Sequence, residues 1–192
     1  MNEEKWTALE EEIRSCTRCP LCRGRIQAVP GEGNREARVM FVGEGPGAQE
    51  DQQGRPFVGA AGQLLDRMLE SIHLDRSDVY IANVVKCRPP QNRTPTQDEC
   101  QACLPYLRRQ TALIRPRIIV CMGTPAARAI IDPEARISAV RGRIIERKGF
   151  YLLGTYHPAA LLRDERLKVA AWDDLVTLRD KLAELEAQDG NA

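Results

Sequence analysis

The sequence has few aromatic residues and only two histidines, and it lacks both a long apolar run and an excess of one charge. Lysine and arginine number 28 against 27 aspartate and glutamate residues, which excludes a polybasic tail and a global attraction to nucleic acid. Contacts with DNA would therefore have to rest on local patches. No stretch of about eighteen apolar residues occurs, and this argues against a membrane-spanning helix.

The start of the chain also lacks the basic and then apolar pattern of a secretion signal. We therefore expect a soluble, cytoplasmic protein that does not associate with a membrane. With 192 residues, the chain is most simply one domain with a single substantial core.

Apolar runs alternate with segments of helical periodicity. Strands are predicted at 37–42, 78–85, 117–123 and 150–154, with an edge strand at 140–147. Helices are predicted at 3–15, 60–72, 97–114, 125–131 and 168–187. Thr96 and Glu99 are spaced as a capping box, Pro105 is expected to interrupt the helix that follows, and residues 51–59 show no regular pattern. The alternation indicates the α/β class, with a parallel sheet covered by helices on both faces.

Two predicted strand ends carry groups suited to a binding site. The glycine-rich loop Gly43–Gly47 follows the first strand, and His157 follows the last one. Because ligands bind beyond the carboxyl ends of the strands in open α/β sheets, the loop and the imidazole are predicted to face one pocket. The other histidine, His73, lies in a predicted helix end.

Phe57 and Asn83 are further candidates for this pocket. Phe57 stands beside glycines rather than in an apolar stripe, and it is either a loop anchor or a stacking platform. Asn83 lies in an apolar strand, where its amide either ties down a loop or reads the edge of a base. Several cations are candidates for phosphate contacts, although each alone is more often a solvated charge: Lys86, Arg88, Arg93, Arg141, Arg143 and Arg163.

The seven cysteines are unlikely to form a disulfide framework in a reducing compartment, and this favours metal ligation. Cys16 and Cys19 form a C-x2-C pair, whereas Cys87 and Cys103 are separated by fifteen residues. Four thiolates hold either zinc or an iron–sulfur cluster, and the single tight pair favours a cluster. Cys22 and Cys100 compete with their neighbours as ligands. Cys121 is expected to be a plain buried residue.

In their order along the chain, these segments closely resemble the family 4, iron–sulfur-containing uracil-DNA glycosylases. The resemblance covers about residues 16–180. The matching stretches are Cys16-x2-Cys19, Gly43-Glu44-Gly45-Pro46-Gly47-x2-Glu50-Asp51, Gly54-Arg55-Pro56-Phe57-Val58-Gly59-x-Ala61-Gly62, Asn83-Val84-Val85-Lys86-Cys87-Arg88-Pro89-Pro90-x-Asn92-Arg93, Cys103, Val140-Arg141-Gly142 and His157-Pro158-x2-Leu161-Leu162-Arg163.

The resemblance implies a three-layer αβα fold with a central, mainly parallel four-stranded sheet. It implies a monomeric enzyme that excises uracil from single- and double-stranded DNA, leaving an abasic site for base excision repair. It also implies a [4Fe–4S] cluster, with Cys22, Cys100 and Cys121 outside the ligand set. The implied ligands are Cys16, Cys19, Cys87 and Cys103.

The resemblance further assigns roles within the pocket. Phe57 would stack on the extruded uracil, Asn83 would bond its N3 and O4 edge, and His157 would donate to O2. Glu50 would occupy the space that the methyl group of thymine needs. The loop residues Gly43, Gly45 and Gly47 would let the backbone approach the base. Contacts with the DNA strand are implied for Arg88, Arg141, Leu161 and Arg163.

The chain departs from the best-known uracil glycosylases at the residue that activates the attacking water. The best-known uracil glycosylases carry a water-activating aspartate where this chain has Gly45, so Glu44 beside it is the candidate for that role. A related branch that cross-links itself to DNA has an additional histidine-containing loop, and the stretch from Asp51 to Phe57 contains no histidine. The hydrolytic branch is therefore favoured. The rival classes are an iron–sulfur electron carrier and a zinc-stabilised DNA-binding module.

Overall fold

The structure, a computed structural model, describes residues 2–190, and in this range the strands form one six-stranded sheet in the order β1-β3-β2-β4-β6-β5. The four central strands are mutually parallel, and β1 and β5 pair antiparallel at the two edges. The strands are β1 (Glu32–Gly33), β2 (Val39–Gly43), β3 (Tyr80–Asn83), β4 (Ile118–Met122), β5 (Ile144–Arg147) and β6 (Phe150–Thr155).

The predicted four-stranded sheet corresponds to this parallel centre, and the edge strands extend it. The two-residue strand β1 is too short to leave a periodic pattern in the sequence. The predicted edge strand at 140–147 is shorter than expected, because Val140 ends the short helix α6 and residues 141–143 form an isolated bridge and a turn before β5.

The long predicted helices are all present. The helices are α1 (Asn2–Arg14), α2 (Ala48–Gln53), α3 (Ala60–Glu70), α4 (Gln97–Ile114), α5 (Thr124–Ile130), α6 (Ile137–Val140), α7 (Pro158–Arg163) and α8 (Leu167–Gly190). The capping box of Thr96 and Glu99 is confirmed at the start of α4. The expected interruption at Pro105 is wrong, because α4 continues through it. Buried packing of the residues around Pro105 compensates for the single backbone hydrogen bond that a proline removes.

The prediction of no regular structure from residue 51 was also wrong, because α2 extends to Gln53. This helix has six residues, which is less than two turns and too short to show a periodic pattern.

The sheet separates two groups of buried apolar side chains. Along β2, Met40 and Val42 pack on the side of α1, α4 and α5, whereas Val39 and Phe41 pack on the side of α3, α7 and α8. All five residues of β2 are buried, as expected for a parallel strand covered on both faces. The α/β class and the three-layer αβα arrangement are thus confirmed. Within residues 2–190, no helix is long and apolar enough to cross a membrane.

Candidate active site

The carboxyl ends of the central strands meet at one edge of the sheet. Gly43 ends β2 and pairs in register with Asn83, which ends β3. His157 follows the end of β6. The chain passes from β2 to β3 on one side of the sheet, whereas after β4 it continues to β5 and β6 on the other side. Such a reversal of strand order opens a crevice between the two neighbouring strands. A cavity of about 340 Å³ lies there, and it is lined by Glu44, Gly45, Pro46, Gly47, Glu50, Phe57, Ala61, Asn83, Pro89, Asn92, Arg93, His157, Ala159 and Arg163. The prediction that the glycine loop and His157 share a pocket is confirmed.

Asn83 is buried with an unsatisfied acceptor. Its Oδ1 atom has no hydrogen-bond partner among residues 2–190, although the residue is only 1% exposed. Gly43 makes this placement feasible, since a Cβ atom there would lie 2.5 Å from the Asn83 Oδ1 atom and 2.6 Å from the Phe57 Cζ atom. A buried acceptor without a partner is destabilising by about 1–3 kcal/mol. This amide is therefore suited to a ligand that brings its own donor.

Phe57 and His157 both line the cavity, and their rings contact each other. Their ring centroids lie 5.5 Å apart, and the ring planes are inclined by 30°. The loop that carries Phe57 is held by Glu50, whose Oε1 atom accepts hydrogen bonds from the amides of Val58 and Gly59, each at 2.8 Å. Glu50 thus lines the pocket and supports the aromatic wall.

His157 is held as a neutral imidazole. Its Nδ1 atom accepts a hydrogen bond from the amide of Ala159 at 3.1 Å. Burial, together with the nearby charge of Arg163, lowers the pKa of His157 to about 4. Because the accepting nitrogen must be unprotonated, the hydrogen-bond network assigns the proton to Nε2. The ring can therefore donate one hydrogen bond without carrying a charge.

Glu44 is the other titratable group of the glycine loop. Burial raises the pKa of its carboxyl, against the opposing effects of a hydrogen bond from Thr94 and the charge of Arg163. Thr94 follows the 3-10 turn Pro90–Asn92 and is an exposed residue that sequence reasoning did not select. A carboxyl with a raised pKa at a cavity wall is suited to exchanging protons or to binding water.

The cysteines surround a second, smaller cavity. Five of them line it: Cys16, Cys19, Cys22, Cys87 and Cys103. Cys100 does not line this cavity, and Cys121 is fully buried within β4. All seven cysteines are free thiols within the described residues. The structure thus brings together the four implied ligands and also Cys22.

Hydrogen-bond donors point at several of these sulfur atoms. The Lys86 amide donates to Cys103 Sγ at 3.3 Å, the Arg25 Nη1 atom to Cys87 Sγ at 3.1 Å, and the Arg18 amide to Cys16 Sγ at 3.5 Å. Such donors are typical around iron–sulfur clusters, whose potentials they help to set. No three His, Cys, Asp or Glu side chains between residues 2 and 190 are placed so that they could hold a metal ion. The thiol lining and these donors nevertheless match the chemistry of a thiolate-bound group.

The chain is similar to known proteins over most of its length. The model of the uracil DNA glycosylase superfamily matches residues 30–176. The type-4 uracil-DNA glycosylase of Pyrobaculum aerophilum is 47% identical over 175 residues, which cover 87% of this chain and 89% of that protein. The type-4 uracil-DNA glycosylase of Archaeoglobus fulgidus is 50% identical over 165 residues, which cover 82% and 83% of the two chains. The chain belongs to the type-4 uracil-DNA glycosylases.

The similarity to another type is weaker. A type-5 uracil-DNA glycosylase of Pyrobaculum aerophilum is 35% identical over 150 residues, which cover 69% of this chain and 66% of that protein. The resemblance to family 4 that the ordered motifs predicted is therefore confirmed.

The side chains expected to contact DNA occupy different environments in this type-4 chain. Arg163 is exposed and lines the active-site cavity, and Arg88 donates from Nε to Asn92 Oδ1 at 2.7 Å. Arg141 pairs through two nitrogens with Asp174, which is fully buried. This internal ion pair commits the Arg141 guanidinium to the fold rather than to a phosphate.

Two other predicted contacts also need correction. Leu161 is 1% exposed and packs in the core, whereas its neighbour Leu162 is 45% exposed. Lys86 is buried, and its Nζ atom donates to the Asn83 carbonyl at 3.0 Å and to Gln110 Oε1 at 2.7 Å. Neither Leu161 nor Lys86 can meet a DNA strand in this conformation.

Proposed function

We propose that this protein is a uracil-DNA glycosylase that hydrolyses the N-glycosidic bond of an extruded uracil and leaves an abasic site, the first step of base excision repair. The observation that carries the proposal is the unpartnered, buried Oδ1 atom of Asn83 in a cavity that also holds a neutral His157. Membership of the type-4 family supports the same activity.

The Asn83 amide selects uracil by matching its edge. Oδ1 accepts from the N3–H group of uracil, and Nδ2 donates to O4. Cytosine has an acceptor at N3 and an amino donor at N4, so both contacts would fail. Glu50, fixed by the Val58 and Gly59 amides, stands where it can exclude the additional methyl group of thymine.

His157 stabilises the leaving group. As the glycosidic bond breaks, negative charge develops on the uracil, and the Nε2–H group donates to O2. A donor that is already oriented before reaction contributes about 3–4 kcal/mol where such donors have been measured. No net proton transfer is required, which agrees with a ring that stays neutral at physiological pH.

Glu44 is the group that we assign to the attacking water. It belongs to the glycine loop, lines the cavity and has a raised carboxyl pKa because of its burial. Because Gly45 and Gly47 carry no side chains, the backbone amides of the loop are open to the base.

The base must leave the stack before it reaches this pocket, at a cost of a few kcal/mol. Phe57 provides the wall on which the uracil stacks. We assign the apolar wedge that fills the vacated space to Leu162, because Leu162 is exposed on the pocket helix α7 and Leu161 is not. Arg163 and Arg88 remain candidates for phosphate contacts, as do the exposed Arg93 and Arg143.

The cysteine cavity is proposed to hold a [4Fe–4S] cluster on Cys16, Cys19, Cys87 and Cys103. Its lining by thiols and the donors aimed at three of those sulfurs support this assignment. When bound, the cluster would cross-link the segment after α1 to the segment after β3 and to α4. Hydrolysis of a glycosidic bond transfers no electrons, so the role of the cluster is structural.

The proposal also covers the oligomeric state, the strandedness of the DNA substrate and the cellular location. A monomeric enzyme is part of the proposal. The pocket accepts an extruded base, so both single- and double-stranded DNA are proposed as substrates. Free thiols in this number suit a reducing compartment, and a cytoplasmic location is therefore proposed.

The function is tested by incubating the protein with a uracil-containing oligonucleotide and then cleaving abasic sites with alkali. Strand scission at uracil, absent from a cytosine control and strongly slowed in a His157→Ala preparation purified identically, is the expected result. A reversible redox potential without scission would instead indicate an electron carrier. A colourless protein that binds zinc and DNA without scission would indicate a DNA-binding module.

A further inference from the structure

The stacking residue Phe57 has an unusual backbone conformation. Its φ angle is 52°, in the left-handed region that bulky L-residues rarely adopt. Such a conformation persists only where the surroundings hold it in place, and it is found most often at functional sites. The contacts that hold Phe57 therefore bear on how the pocket is built.

Arg76 holds the two backbone carbonyl groups that flank the Cα atom of this strained residue. Its Nη2 atom donates to the Pro56 carbonyl at 2.7 Å, and its Nη1 atom donates to the Phe57 carbonyl at 2.9 Å. The guanidinium is itself oriented by Asp66 of α3, whose Oδ1 atom lies 2.9 Å from Nη1. Arg76 comes from the turn between α3 and β3, so it reaches this loop from a separate segment of the chain.

The backbone amides that follow Phe57 are held by a group of opposite charge. The Glu50 carboxylate accepts from the amides of Val58 and Gly59, as described above. The first turn of α3 packs directly on the strained peptide, since a Cβ atom at Gly62 would lie 1.8 Å from the Phe57 carbonyl oxygen. A cation thus binds the carbonyls and an anion binds the amides of consecutive residues.

We propose that Arg76 is a positioning residue that holds Phe57 in its strained conformation and so preorganises the stacking wall for the extruded base. This inference rests on the proposed function, because it concerns the same pocket. Arg76 does not line the cavity within residues 2–190, so it acts on the base through Phe57 rather than by contact. Without it, Phe57 would relax toward ordinary φ angles, and the base would have to order the loop on entering.

The test is a double-mutant cycle on the single-turnover rate of uracil excision, with Arg76→Ala, Phe57→Ala and the double variant. Arg76→Ala alone is expected to lower the rate about ten-fold, equivalent to about 1.4 kcal/mol. In the Phe57→Ala background, the same change is expected to lower the rate less than about two-fold, because the group that it positions is already gone. Equal losses in both backgrounds would overturn the proposal.

Two conservative variants separate a loss of positioning from a loss of folding. Arg76→Lys keeps the charge but lacks the planar fork that bonds two carbonyls, and Asp66→Asn weakens the orientation of Arg76. Both are expected to fold and to show intermediate rates. Wild-type rates in both would contradict the proposal. Arg55→Ala is the matched control, because Arg55 lies in the same loop but pairs with Glu32 on the surface. Its rate is expected to equal that of the wild type.

Measurements of DNA binding distinguish a positioning role of Arg76 from a direct contact between Arg76 and DNA. Affinity is measured for a strand whose uracil nucleotide carries a 2′-fluoro group that resists cleavage, at several salt concentrations. The salt dependence of binding is expected to be unchanged in Arg76→Ala. If the slope of the logarithm of the binding constant against the logarithm of the salt concentration fell by about one, a phosphate contact would have been lost, and the positioning role would be overturned. A wild-type protein without excision would refute the proposed function, whereas normal excision by Arg76→Ala would refute only this inference.

Discussion

The Ala159 amide donates to Nδ1 of His157, and this bond leaves Nε2 as the protonated nitrogen of the ring. The first residues of α7 therefore determine which atom of the ring faces the cavity as a donor. Such control by the backbone needs no partner carboxylate, unlike the histidine of a hydrolytic triad.

His157→Ala should slow the chemical step and leave DNA binding nearly unchanged. The donor is used mainly in the transition state, so its removal is expected to lower the single-turnover rate on the order of a hundred-fold or more. Affinity for a uracil-containing strand should stay close to that of the wild type. Weakened binding with a normal saturated rate would instead make His157 a DNA-contact residue.

The pH dependence of the rate should report Glu44. Burial raises the pKa of this carboxyl above its ordinary value of 4.5, so an active carboxylate is lost as the pH falls through that raised pKa. His157 has a pKa of about 4 and stays neutral until the pH is lower still. Single-turnover rates between about pH 4.5 and 8 should therefore show an acidic limb. Glu44→Gln should be slower and should lack the limb, and persistence of the limb would assign it to another group.

The lowered pKa of His157 also affects stability. The unfolded chain binds a proton near pH 6.5, whereas the folded chain does so only near pH 4. The contribution of this residue to stability is therefore fully present above about pH 6.5 and is lost as the pH falls toward about 4. In His157→Ala this part of the pH dependence of unfolding should disappear.

Asn83→Asp should weaken the recognition of uracil. The carboxylate presents an acceptor where the amide NH2 group meets O4, and the loss is expected to be about ten-fold or more in rate. Cytosine has a donor at N4, so weak excision of cytosine is the informative side activity. The measurement compares uracil- and cytosine-containing strands with both enzymes. Undiminished and equally selective uracil excision would remove Asn83 from the pocket.

The sequence was most informative where a pattern is local. The buried strand before Gly43, the capping box at Thr96 and the strand end at His157 could all be predicted, because periodicity and short-range hydrogen bonds determine them. The meeting of the two strand ends at one edge followed from the parallel sheet. The strained φ angle of Phe57 was not predictable, since Arg76 and Gly62 impose it from other segments.

The differences at the predicted DNA contacts have a similar cause. Leu161 and Leu162 are identical neighbours in sequence, and only the packing of α7 against the core decides which of them is buried. Arg141 resembles any solvated cation until α8 brings Asp174 against it. The orientation of a short helix and the pairing of distant charges are tertiary properties.

This difference gives a paired prediction for the two leucines. Leu161→Ala should lower the free energy of unfolding by about 2–5 kcal/mol, because it removes a buried side chain. Leu162→Ala should change stability by no more than about 0.5 kcal/mol, yet it should slow excision from duplex DNA more than from single strands. Thermal unfolding and single-turnover rates on both substrates measure these effects. A stable Leu161→Ala variant with a duplex-specific defect would return the wedge to Leu161.

The ligand set can be tested by removing the cysteines one at a time. Anaerobically purified protein is expected to be brown and to contain about four irons per chain. Cys87→Ala and Cys103→Ala should lose the iron, because these residues would anchor the cluster to the segment after β3 and to α4. Cys22→Ala is the sharpest control, since Cys22 lines the same cavity but is not assigned as a ligand. It should keep both colour and iron. If Cys22→Ala bleaches the protein and Cys19→Ala does not, the fourth ligand is Cys22, and zinc in place of iron would overturn the cluster itself.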